Sequence, residues 1–143
     1  MSIVTVLDRF PTPPCAILLG LTILEADRAH GRCKIVFTAK PEFCNAAGNV
    51  QGGFLAAMLD DCIGPAVLIA THAEVFPSTI NLNVQFLLPA KLGKIVGTAW
   101  VVQLGKTIGF VEGELKDMSD NVIARATASV RLTAIHKAVA SHS

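Results

Sequence analysis

Two adjacent carboxylates, Asp60 and Asp61, stand in the middle of the apolar stretch QGGFLAAMLDDCIGPAVLIATHA, residues 51–73. An ionised carboxylate without a partner is costly in such surroundings, so both residues demand an explanation. The stretch is long and dominated by Leu, Ala and Met, which predicts a helix. On that helix Asp60 shares a face with Gly53, Ala56, Ala57, Gly64 and Val67. Most of these are small, so a ligand or a second chain can come close to the backbone beside the carboxylate. Asp61 shares its face with the bulky Phe54, Met58, Pro65 and Leu68. For Asp61 the plainer reading is solvent at a subunit edge, or an arginine partner. Gly52-Gly53 opens the stretch, where free backbone N–H groups and the helix dipole favour a carbonyl oxygen gaining negative charge. By itself the dipeptide reads first as an ordinary glycine-rich helix start. Gly52 and Asp60 are separated along one helix axis by about 12 Å. A carboxylate and an oxyanion donor that serve one carbonyl must both be within hydrogen-bond reach of it. If both act, one comes from a neighbouring subunit, which predicts a dimer with sites at its interface.

The elements around this helix follow from pattern. Residues 2–10 form a short helix or irregular arm, stopped by Pro11, Pro13 and Pro14. Residues 16–27 and 32–38 read as two antiparallel strands about Ala29-His30-Gly31, and residues 41–50 as a loop. Pro65 should kink the long helix. In residues 79–87 Ile80, Leu82, Val84 and Phe86 alternate with Thr79, Asn81, Asn83 and Gln85, a half-buried strand. This strand is a candidate sheet edge that pairs with its twin across a dimer axis. After a turn at Pro89 to Gly93 come a strand over 94–104, a hairpin at Gly105-Lys106, a strand over 107–116, a polar loop and a strand over 122–133. The tail, 135–143, should fray. Trp100 and Phe110 read as core. Strand, strand, helix and a four-strand meander make an α+β fold in which one antiparallel sheet wraps the single long helix.

Residues 1–143 are the length of one domain. A net charge of +1 gives no electrostatic case for nucleic acid or an acidic membrane face. At 52% hydrophobic against 16% charged the chain is too apolar for disorder. Asp60, Asp61 and Pro65 interrupt its longest apolar run, so no membrane span is expected, and the surplus points to burial against other copies. The first residues lack a basic segment before an apolar one, so no signal peptide and a cytoplasmic location are expected. Cys15, Cys33, Cys44 and Cys62 form no C-x-x-C pair and stand at no zinc spacing with His30, His72, His136 or His142. Reduced thiols are expected, with no metal. Cys44 has no neighbouring histidine in sequence to activate it as a nucleophile.

Three segments, CNAAGNVQGGFLAAMLDDCIG (44–64), STINLNVQFLLPAKLG (78–93) and LGKTIGFVEGEL (104–115), resemble the hotdog-fold thioesterase superfamily. The similarity is to the branch of the phenylacetate-pathway (PaaI-like) acyl-CoA thioesterases. It implies the hotdog fold, five or six antiparallel strands around one central helix, in homodimers that often pair into homotetramers. It implies hydrolysis of an acyl-CoA to free acid and coenzyme A, the latter present only as part of the substrate. By the same resemblance Asp60 is general base or nucleophile, the Gly52 N–H of the partner subunit polarises the carbonyl, Asn45 positions substrate or water, and Thr79 holds the water. Gly53 and the hairpin Gly105-Lys106-Thr107 would contact the substrate, the hairpin at its phosphate or pantetheine. Lys91, Lys94, Lys106 and Arg125 are candidate cations for coenzyme A phosphates at a subunit edge, although each by itself reads first as a solvated surface charge. The chain departs from the pattern at Gln51, where relatives carry His. Glutamine can donate and accept hydrogen bonds but cannot carry a proton. That departure motivates a second reading, a non-catalytic binder of acyl-CoA or an acyl ligand. A dehydratase or hydratase would need a histidine, and none lies in residues 39–71.

Overall fold

The computed structural model describes residues 3–140. Its centre is helix α2, Gly52–Ala70, which buries Leu55, Met58, Leu59, Cys62, Ile63, Ala66, Val67 and Ile69. With 19 residues and a mean hydropathy of 1.6, α2 is long and apolar enough to cross a membrane, so the two carboxylates and Pro65 do not interrupt it as the sequence predicts. Its apolar side chains are taken up instead by a sheet. Six antiparallel strands surround it: β1 Thr22–Asp27, β2 Arg32–Ala39, β3 Val75–Phe86, β4 Gly93–Leu104, β5 Ile108–Lys116 and β6 Val122–Ala134. Their spatial order is β1-β2-β4-β5-β6-β3. This is the hotdog architecture expected from the resemblance.

The sheet can wrap the helix because its middle is built of small residues. One helix-facing row reads Ile35, Gly97, Leu115, Ala124, Phe86, and the next Cys33, Ala99, Gly113, Ala126, Val84. A Cβ at Gly97 would collide with the Cys62 sulfur of α2, and would lie 3.1 Å from Phe37 and 3.2 Å from Leu115. All three neighbours are fully buried, so none can step aside cheaply. Gly97→Val is therefore expected to destabilise the fold by about 3 kcal/mol. For a domain of this size that lowers the melting temperature by roughly 10 °C in a calorimetric scan.

The structure corrects four sequence expectations. Residues 14–19 form helix α1, Pro14–Leu19, and not the start of a strand. Pro at its first position and Gly20 at its end, with φ 67°, favour a helical turn over extension. The four late strands are not one meander: β4, β5 and β6 are, but β3 pairs only with β6 at the far edge. The chain leaves α2 through the turn Thr71–Glu74 and runs back along the helix, which lands β3 beside the last strand. Trp100 and Phe110 are not core. They project from the outer face, opposite Glu112 and Gln103, and Trp100 carries the Arg32 guanidinium over its ring. The expected frayed tail begins instead with helix α3, Ile135–Ala140, and residues 141–143 lie outside the described residues. The N-terminal arm contains one 3₁₀ turn, Val6–Arg9, capped by the Thr5 hydroxyl.

Candidate active site

Strand β3 runs antiparallel to α2 and lays its inner residues along it. Pro77 lies beside Gly64, Thr79 meets Asp60, and the Phe86 ring covers Gly52. Strict alternation would put Thr79 on the same side as Asn81, away from the helix. A β-bulge between Thr79 and Asn81 reverses this. Thr79 pairs with buried Val130 and turns inward, whereas Asn81 pairs with Ser129 and turns out. The predicted pattern holds for Leu82, Val84 and Phe86 and fails at Ile80, which the bulge leaves 59% exposed. The result is one short hydrogen bond: the Thr79 hydroxyl donates to Asp60 Oδ1 at 2.7 Å. Asp60 is exposed in the single chain, on a face with Gly53 and Ala57 exposed and Gly64 half-buried. A Cβ at Gly53 would meet nothing within 4 Å. The small-residue face is thus an open trough with a fixed carboxylate in it.

The second group of predicted residues lies at the other end of α2. Gln51 is the N-cap residue but its side chain makes no capping hydrogen bond, and it is exposed. Its backbone N–H donates to the Phe43 carbonyl at 2.8 Å, and the neighbouring Val50 N–H donates to Ala90 at 2.8 Å. Phe43 in turn stacks on Phe54, with ring centroids 4.2 Å apart. The helix start is therefore held rigidly, and the N–H groups of Gly52 and Gly53 have no acceptor within the helix. Asn45 Oδ1 accepts from the N–H of Ala47 at 3.0 Å and of Asn49 at 3.1 Å, so its carbonyl end shapes this loop. Phe86 over Gly52 was not expected from the sequence. Only the strand pairing shows that it reaches the helix start.

The hairpin Gly105-Lys106-Thr107 closes with Gly105 N–H donating to Ile108 at 2.8 Å, while the Thr107 carbonyl accepts from Leu132 at 2.8 Å. Gly109 and Thr79 flank the same residue, Val130, which places this hairpin at the Asp60 end of the sheet. Lys94 donates to the Thr38 hydroxyl at 2.9 Å, and Arg125 stands 3.6 Å from Glu114 on the outer face. Lys91 and Lys106 are exposed. So the structure unites Asp60 with Thr79 and brings their end of the sheet to the hairpin. Gly52, Gly53, Gln51 and Asn45 remain a separate cluster within the chain.

Among the described residues Asp61 has no arginine partner, and only part of it reaches the solvent that the sequence predicts. It is half-buried, and its Oδ2 is fully buried without a hydrogen-bond partner. Burial, and then the charge of Asp60, push its pKa up from 3.8 to about 6. An acid with a raised folded-state pKa destabilises the fold as pH rises from about 4 past 6, because the unfolded chain gives up that proton first. Asp61→Asn is thus expected to raise stability at pH 8 by about 1–2 kcal/mol, allowing for its partial solvent contact, and to change little at pH 4. Denaturant melts at both pH values measure this. The thiols nearby are inert: burial pushes the Cys33 pKa to about 12 and that of Cys62 well above the ordinary thiol range.

The Thioesterase superfamily model matches residues 47–124. Human acyl-coenzyme A thioesterase 13 is 32% identical over 100 residues, 69% of each chain. The crystal structure of a phenylacetic acid degradation-related protein from Ralstonia eutropha superimposes with a TM-score of 0.82 at 35% identity, over 88% of this chain and 95% of that one. The PaaI protein of E. coli, from the phenylacetic acid degradation operon, superimposes with a TM-score of 0.77 at 21% identity over 84% of each chain. A Streptococcus mutans protein crystallised bound to acetyl CoA shares the fold, with a TM-score of 0.73 at 17% identity over 80% of this chain and 89% of that one. With the match spanning both ends of the α2 trough, the chain belongs to the thioesterase superfamily, in its PaaI-like branch, and is a thioester hydrolase.

Proposed function

We propose that the protein hydrolyses acyl-CoA thioesters to free acid and coenzyme A, in sites that a second copy of the chain completes. The observation that carries this is the exposed Asp60 carboxylate, gripped by Thr79 in a small-residue trough. Its relative acyl-coenzyme A thioesterase 13 supports the choice of substrate. In the reaction Asp60 takes a proton from an attacking water, or attacks the carbonyl itself to give a transient anhydride. Thr79 fixes the carboxylate and orients the water. The N–H of Gly52 from the other copy holds the carbonyl oxygen as it becomes negative. With Asp60 as base, the C–S bond then breaks and the leaving thiolate takes the proton that Asp60 holds. With Asp60 as nucleophile, the thiolate leaves as the anhydride forms, and a water then opens the anhydride, freeing Asp60 and the acid and giving up a proton to the thiolate. Gly53 and the hairpin with Gly105, Lys106 and Thr107 lie where the carrier arm would run, and Asn45 keeps its amide nitrogen for substrate or water.

The second copy is needed because Gly52 and Asp60 sit about 12 Å apart on one rigid helix. Edge strand β3 leaves its outer backbone groups unpaired within the chain, and Ile80, Phe86, Leu87 and Leu88 are exposed along it. Pairing of β3 with its twin would cover this surface, and two such dimers would make the tetramer of the relatives' pattern. Gln51 favours one rival reading, a binder that does not turn over, because this residue cannot carry a proton. A thiol-release assay over aromatic, short-chain and long-chain acyl-CoAs separates the two. Turnover on any of them supports the hydrolase. Saturable binding by calorimetry with no thiol released selects the binder.

A further inference from the structure

Asp61 is a half-buried carboxylate beside the candidate site that the mechanism above leaves idle. Its Oδ2 is shut off from solvent and has no partner, although the neighbouring Asp60 is exposed and anchored. The two residues are consecutive on α2, so their carboxyls stand about 6 Å apart around the helix. The open trough of Gly53, Ala57 and Asp60 is the side from which a substrate reaches Asp60, and the buried Asp61 Oδ2 lies away from it. In the proposed reaction the negative charge therefore leaves Asp60 for a carbonyl oxygen further from Asp61. A charge on Asp61 repels the starting state more than the transition state, and so lowers the barrier. From this geometry we propose that Asp61 is a positioning residue of the thioesterase reaction, a second carboxylate that drives charge off Asp60 towards the substrate carbonyl. The proposal rests on the reading of Asp60 as base or nucleophile.

Coulomb's law gives the size of the effect. With an effective dielectric near 20 and a charge displaced from about 6 to about 9 Å, the acceleration is about fivefold. It switches on as Asp61 loses its proton, at a pH of about 6 in the free protein. The ionisable neighbours are few. Asp60 and Cys62 flank Asp61 on α2, and Cys33 faces Cys62 from β2. The N-terminal arm packed on the helix carries Asp8, which accepts from Thr5, and Arg9, which is bonded to His72. The rows of β3 to β6 that face α2 carry glycine, alanine, threonine and apolar side chains. Both thiols stay protonated through this range.

The test is a pH profile of kcat/KM between pH 4.5 and 8.5, using an S-acyl-N-acetylcysteamine substrate that has no phosphate to titrate. Wild type should rise in two steps, the upper one near pH 6 and about fivefold in height. Asp61→Asn should keep the lower step and lose the upper one, so that it matches wild type at pH 5 and falls about fivefold short at pH 8. A merely structural role for Asp61 would scale the whole profile without removing a step. A profile for Asp61→Asn that still contains the upper step overturns the proposal. Carboxyl NMR titration of the wild-type protein gives an independent reading: Asp61 must titrate across the same interval as the upper step, and a midpoint at an ordinary aspartate value also overturns it. Asp60→Asn distinguishes the two levels of inference. If that variant keeps about a tenth of wild-type activity or more, the reading of the site has failed. If it is inactive and Asp61→Asn behaves like wild type, only the role of Asp61 has.

Discussion

Asp60→Asn is expected to slow acyl-CoA hydrolysis by about 10³-fold and to leave substrate affinity within a few-fold of wild type. The replacement keeps the shape of the side chain, and its amide oxygen can still accept the Thr79 hydroxyl that now meets Oδ1 at 2.7 Å. What disappears is the capacity to take a proton or to attack a carbonyl. Because Asp60 is exposed, the fold loses little. Thiol release measures the rate, and calorimetry on the slow variant measures binding of the intact thioester. A variant that retains a tenth of wild-type activity would remove Asp60 from the reaction.

Gly52→Pro should be nearly as damaging, through an atom of the backbone. Proline is well tolerated at the first position of a helix, where its missing N–H has no helical acceptor. The preceding Gln51 already has φ −61° and ψ 137°, the extended conformation that proline demands of its neighbour. The new ring has to press on Phe86, whose ring lies 3.3 Å from where a Cβ would stand. Phe86 is 53% exposed within the single chain, so nothing in the chain itself pins its ring against Gly52. The helix therefore survives while the oxyanion donor is lost, at an expected cost of about 10²–10³ in kcat. Co-expression with Asp60→Asn gives a sharper result. A mixed dimer carries one site with both lesions and one with neither, so a random mixture recovers about a quarter of wild-type activity. If co-expression recovers none, Gly52 and Asp60 do not come from different chains.

Much of this was legible in the residues. The long apolar stretch announced a wrapped helix, and Asp60 on it marked the candidate site. The order of late strands was not legible, because alternation says which face a residue takes and nothing about which strand lies beside it. Residues 16–21 are apolar enough for a strand, and only the bracket of Pro14 and Gly20 tips them into α1. At Thr79 the pattern misled: the alternation through Ile80 looks unbroken, yet the bulge there puts threonine on the side opposite to the one it predicts. The resemblance found Thr79 and the periodicity hid it. Asp61 failed for another reason. Whether a carboxylate on a helix reaches water depends on what the rest of the chain lays over it, and no local pattern records that.

The far-edge position of β3 also bears on how the protein is made. Thr79 stands opposite Val130, and within the chain β3 has no other strand to pair with. Synthesis proceeds from the N-terminus, so the ribosome delivers the acid of α2 long before the strand that steadies its threonine clamp. A nascent chain that stops short of β6 holds Asp60 beside a loose, unpaired ribbon. On the proposed mechanism, hydrolytic competence therefore arrives late, once β6 has formed and β3 has paired with it.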